Sequence, residues 1–101
     1  MPEIKPPEII RRKGDSYVTF YANNAQIEAN PWDLKLVVGE IEKTEMTPGG
    51  IAKIYVEDKA RIVMSPQHAK ALMKALQENL AQYEAQMGPI PEPIVPTEVK
   101  S

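Results

Sequence analysis

Met64-Ser65-Pro66-Gln67-His68-Ala69-Lys70 divides the chain into a β-rich half and a helix. Up to Met64 the residues alternate with the period of a strand. Ile54, Val56, Ala60, Ile62 and Met64 share one parity, and Tyr55, Glu57, Lys59, Arg61 and Val63 the other. Ser65 is a good helix N-cap, and Pro66 fits the first helical position, where its missing N–H is one the helix cannot use. An apolar stripe follows at helical spacing: Ala69, Leu72, Met73, Leu76, Leu80, Tyr83 and Met87. Gly88-Pro89 then stops the helix.

Working back from this junction, 34–42 alternates as a second strand, with Leu34, Leu36 and Val38 on one face. Asn30-Pro31-Trp32-Asp33 has the residues of a turn. Further back, 17–22 is aromatic and β-branched, and 25–29 alternates strictly. The apolar parity changes across Asn23-Asn24, so these two pieces form either a tight turn or one long bulged strand, the second being favoured. The segment 44–50, with Pro48, Gly49 and Gly50, reads as a flexible connection. Asp58 is the one polar residue on the inward parity of the last strand, which alternation on both sides still predicts to be continuous.

The expected fold is α+β: an antiparallel β-meander of three long strands, the first bulged or split, followed by one long C-terminal amphipathic helix. Short connections favour antiparallel neighbours. Seven of the ten prolines lie near the two ends. Residues 1–16 therefore read as a Pro-rich, basic N-terminal arm, 17–88 as a single α+β domain, and 89–101 as a Pro-rich flexible tail or short docking segment.

The chain of 101 residues has no cysteine, which excludes disulfides, thiolate catalysis and Cys-ligated zinc. No apolar run reaches membrane-spanning length, and the N-terminal stretch lacks the apolar centre of a secretory signal. A cytoplasmic protein is expected, with no membrane partner. Net charge is −2, so a duplex-binding surface is not implied overall. A folded part of roughly 70 residues is marginal alone. Tyr17, Tyr21, Ile27, Val37, Tyr55 and Val63 fall on the parity facing away from the helix and would need a cover. Both points predict a homo-oligomer, a dimer or tetramer, with a protein client as a further partner.

No catalytic, metal or phosphate-binding constellation stands out, so no catalytic residue, metal or cofactor is expected. His68, the one histidine, is near Ser65, but Ser65 is accounted for as a cap, and a lone histidine lacks metal companions. Gly49-Gly50 lacks the following Lys-Ser/Thr of a phosphate loop. Trp32 is either a plug under the sheet or an exposed docking residue. With Tyr17, Tyr21 and Tyr55 it forms the candidate interface or partner-binding set. Arg11, Arg12, Lys13, Arg61 and Lys70 are the candidate anion or nucleic-acid contacts. The arm cluster also reads as a solubilising tail. Lys70 and Lys74 lie one turn apart on a helix face that Glu78, Gln82 and Glu84 continue with opposite sign.

Tyr21-Ala22-Asn23, Ile27, Trp32-Asp33, Gly39-Glu40 and the Met64–Lys70 helix start, with Leu72, Leu76, Asn79 and Tyr83-Glu84, resemble a family of short prokaryotic proteins known as a domain of unknown function. The resemblance covers 20–88 and implies a single small domain. It transfers no functional residue. A second, fold-level resemblance is to the export chaperone SecB, through the order of a β-meander before a long helix and the segment 23–33. It implies oligomers with apolar client grooves, though this chain lacks that chaperone's acidic composition and additional C-terminal helix. The expected function is a non-enzymatic, homo-oligomeric protein-binding or adaptor module of chaperone type. The alternative is a small nucleic-acid-binding protein using an aromatic sheet face and the basic arm.

Overall fold

A computed structural model describes residues 3–93, 95 and 97–100. Along the chain come β1 (Asn24–Ala29), β2 (Leu34–Thr47), β3 (Gly50–Met64), α1 (Pro66–Met87) and β4 (Glu98–Lys100). The strands form one sheet in the order β3-β2-β1-β4. β1, β2 and β3 are antiparallel neighbours, the meander expected from the short connections. The sheet is nevertheless mixed, because β4 pairs parallel to β1, with Val99 opposite Ile27. A parallel neighbour needs a long crossover. Here α1 and the proline-rich stretch lie between β1 and β4, and they supply the required length. Residues 94, 96 and 101 of the expected tail lie outside the described residues, as do residues 1 and 2 of the expected arm.

The first strand is shorter than the bulged strand expected from the sequence, since 17–23 does not enter the sheet. Asn23 ends it. Its backbone N–H donates to the Gly39 carbonyl at 3.0 Å, while its side-chain Oδ1 accepts from the Ile41 N–H at 2.8 Å. A side chain thus satisfies the next donor of β2, and the main chain is released. With the strand starting at Asn24, the parity conflict disappears. Ala25, Ile27 and Ala29 stand opposite Val38, Leu36 and Leu34, which stand opposite Ala60, Ile62 and Met64. Paired residues share a face. All these apolar side chains therefore lie on one side of the sheet, and Ile27 belongs there rather than on the second face.

Asp58 is explained by a bulge. Val38 pairs with Ala60 but Gly39 pairs with Asp58, so Lys59 is the extra residue. The alternation changes phase at Lys59, which moves Asp58 to the face opposite Ala60. Gly39 is buried at this point. A Cβ there would collide with the Glu57 carbonyl oxygen and lie 3.1 Å from the Asp58 Cα. The expected flexible connection at 44–50 is instead mostly strand. Thr47 pairs with Gly50 across Pro48-Gly49, and the Thr47 hydroxyl donates to the Gly50 carbonyl at 3.0 Å. Gly50 at φ 121° supplies the backbone that a side chain would oppose.

α1 begins and ends as the sequence predicts. The Ser65 Oγ accepts from the His68 N–H at 3.1 Å, Pro66 sits in the first turn, and the Gly88 N–H closes the helix on the Glu84 carbonyl. The helix spans 22 residues, yet none of them is buried. Among the described residues Val37, 6% exposed, is the only buried apolar side chain. It lies on the face away from the apolar one, in register between Gln26 and Arg61. The molecule measures 70 × 34 × 29 Å with a radius of gyration of 18.0 Å. A compact chain of this length would have a radius of about 13 Å.

Candidate interaction surface

The apolar face of the sheet and the stripe of α1 form the two walls of an open groove of about 500 Å³. Ile27, Leu34, Leu36 and Met64 line the sheet wall. Ala69, Leu72, Met73, Leu76 and Leu80 line the helix wall, with Lys70 and Gln77 at the rim. Beyond the groove the stripe runs on through Tyr83 and Met87 to a smaller hollow of about 370 Å³, shared with Pro89, Ile90 and Pro91. Met73, Leu76, Leu80 and Tyr83 are each about half exposed, and Met87 more so. These are the residues the sequence assigns to a core, but here they surround open space.

The accessible surface measures this openness. It is 9298 Å², whereas a compact folded monomer of this mass has about 5,700 Å². The surplus, about 3,600 Å² by the same scaling, includes the extended, exposed stretch 3–23 as well as the open groove. Sequence reading found the apolar residues but expected the uncovered set on the face away from the helix, where Val63 is exposed but Val37 is buried. Tyr17 and Tyr21 precede the first strand, and Ile27 faces the groove. The signal available was the strength of the helix stripe relative to a small sheet.

The candidate partner-binding residues are dispersed. Trp32 is 82% exposed. The Asn30 side chain holds its turn: Oδ1 accepts from the N–H groups of Trp32 and Asp33, and Nδ2 donates to the Asp33 carboxylate, each at 2.9 Å. The indole is thus presented outward from a locked turn rather than plugged under the sheet. Tyr17 and Tyr21 are exposed. Tyr55 lies towards the far end of the β2–β3 hairpin, where its hydroxyl donates to Glu45 at 2.7 Å and the Lys43 ammonium stands 4.7 Å from its ring. The bond to Glu45 raises the phenol above its ordinary pKa, and a smaller contribution comes from lost hydration.

Of the candidate anion contacts, Arg11, Arg12 and Lys13 border one hollow with Tyr17, and Lys13 stands 5.3 Å from the Tyr17 ring. Arg61 is on β3 in register with Val37, and Lys70 is on the rim of the apolar groove. The structure does not gather the five into one patch. No group of three or more metal-ligating side chains exists among the described residues, and no helix there is long and apolar enough to cross a membrane.

The family model described as "Protein of unknown function (DUF3467)" matches residues 2–92, and the chain belongs to that family. No curated protein and no solved structure matches it.

Proposed function

We propose that this member of the family is a non-enzymatic protein-binding or adaptor module that works as a homo-oligomer. The observation that carries this reading is an apolar groove and helix stripe that the chain does not cover itself, with Met73, Leu76, Leu80, Tyr83 and Met87 about half exposed or more. Copies of the chain bury part of it on one another, and the assembly holds extended protein segments in the manner of a chaperone. That mode of binding is suggested only by the SecB-like order read from the sequence, a meander before a long helix; in the structure a further strand, β4, follows the helix. The locked turn supports protein binding as well, because the backbone that presents the exposed Trp32 is already ordered and loses little entropy when a partner covers it. Ser65 serves as a cap rather than a nucleophile in this reading.

Trp32 is the only tryptophan, so its emission reports directly on this site. Titrating the full chain with reduced, carboxymethylated ribonuclease A, a permanently unfolded polypeptide without tryptophan, should give a saturable shift of that emission. Trp32→Ala should weaken binding of the fluorescently labelled polypeptide at least tenfold, as expected of a hot spot, with the solution mass unchanged. No saturable binding by the native chain would overturn the protein-binding reading. A monomeric mass by light scattering at all concentrations would overturn the assembly.

A second reading, nucleic-acid binding, is favoured by one observation. Arg11, Arg12, Lys13 and Tyr17 gather around a hollow of about 780 Å³ in the arm. It requires saturable, steeply salt-dependent binding of a single-stranded oligonucleotide.

A further inference from the structure

The helix stripe has a finer pattern than a core needs. Ala69, Met73, Leu76, Leu80, Tyr83 and Met87 follow one another at intervals of 4, 3, 4, 3 and 4 residues. That is the seam of a two-helix coiled pair, sustained over most of α1. Leu72 broadens it on one side. Met73, Leu76, Leu80, Tyr83 and Met87 are about half exposed or more, and no residue of the helix is buried.

We propose that the occupant of this seam is α1 of a second copy, packed antiparallel about a two-fold axis near Glu78. The inference rests on the homo-oligomeric reading above and gives it a surface and a direction. In this register Leu76 meets Leu80 of the second copy, Met73 meets Tyr83, and Ala69 meets Met87. The small residue thus faces a long one, and the bulky pairs lie inside.

The charges choose the direction. Lys70, Gln77 and Glu84 form one flank of the seam. Turned antiparallel, that flank sets Lys70 of each copy beside Glu84 of the other, twice by symmetry, with Gln77 against Gln77 at the centre. The other flank sets Asn79 against Asn79 and Leu72 against Gln86. A parallel pair would place Leu72 beside Gln77 and Asn79 beside Glu84, forming no ion pair. Lys70 has no ion-pair partner among the described residues. One oxygen of Glu84 already accepts from the Ile90 N–H at 3.1 Å, leaving the other for a cation.

The size of the surface agrees. A 22-residue helix is about 33 Å long and matches an interface of ordinary length. The second helix would also cover the groove that Leu34, Leu36 and Met64 leave open. Lys70 and Glu84 are fourteen residues apart on one helix, about 21 Å, and cannot reach each other within one copy.

The test is a charge exchange at these two exposed positions, read by light scattering and native mass spectrometry at low salt. Lys70→Glu alone, or Glu84→Lys alone, puts like charges together at both pairs and should weaken the homodimer about tenfold. Mixed one to one, the two variants should form a heterodimer about as stable as the native dimer, because both pairs become opposite again. The double variant Lys70→Glu with Glu84→Lys should regain native affinity as a homodimer. A native dimer whose single variants are unaffected, or are weakened without rescue by mixing, overturns the antiparallel seam and leaves the homo-oligomeric reading standing. A native chain that is monomeric throughout overturns both.

Discussion

The sheet around Gly39 and the helix α1 are both well-formed secondary structure, yet they differ in what completes them. At Gly39 two backbones approach so closely that no Cβ fits, and Val37 beside it is buried. Three strands close their ladders on one another there, and the Asn23 side chain satisfies a further donor. α1 is as regular, capped at Ser65 and stopped at Gly88, but its apolar face meets no dense packing. A helix satisfies its hydrogen bonds internally, so regularity says nothing about burial. Its stability in a protein comes mainly from packing of the apolar face. The sheet around Gly39 is closed by the chain itself, whereas the apolar face of α1 is left open, and under the homo-oligomeric proposal a second copy covers it.

Gly39→Ala attacks the self-sufficient region. The added Cβ must displace the Glu57 carbonyl or open the bulge at Lys59. Overpacking of this kind costs about 1–3 kcal/mol. A fall of that size in stability from urea unfolding is expected, with a midpoint that shifts equally at low and high protein concentration. A neutral effect would mean that the strands are looser than the contact implies.

Ser65→Ala attacks the helix whose apolar face is left open. It removes the acceptor for the His68 N–H and should cost about 1 kcal/mol of helix stability. If the proposed assembly holds, folding of the helix is coupled to it, and the loss should appear as weaker association and a helical circular-dichroism signal that fades on dilution. The same loss at every concentration would erase the contrast between the two regions.

The boundaries of α1 were legible because caps and stops are local chemistry: Ser65, Pro66 and Gly88 act on their own neighbours. The meander was legible for a related reason, since period-two alternation survives within each strand. Three features were not. The end of β1 depends on the Asn23 amide reaching Ile41, a partner eighteen residues away that no local pattern marks. The phase change at Lys59 follows from register with β2, and register is a property of two strands. The pairing of Val99 with Ile27 joins segments separated by almost the whole fold, and it makes a sheet expected to be antiparallel mixed. The candidate site was legible as composition only. Its apolar residues were identifiable, but which face they left open depended on the end of β1 and the phase at Lys59.

Tyr55 gives the smallest and most local test of the sheet's self-sufficiency, since its bond to Glu45 links β3 to β2 without any partner. Donation to a carboxylate favours the neutral phenol, which is why its pKa lies above the ordinary 10.0. A group whose folded pKa is raised contributes stability that is fully present below the unfolded value. The contribution is lost as pH rises through the folded one. The hairpin should therefore keep this contribution at neutral pH and lose it only above pH 10.0. Solvent screens so exposed a pair, which keeps the effect small. Tyr55→Phe should remove one late phenolate step from the ultraviolet titration of the four tyrosines, and should leave the solution mass unchanged. A change in mass would show that the far end of the hairpin also takes part in assembly, and the division between a completed sheet and an incomplete helix would then have to be redrawn.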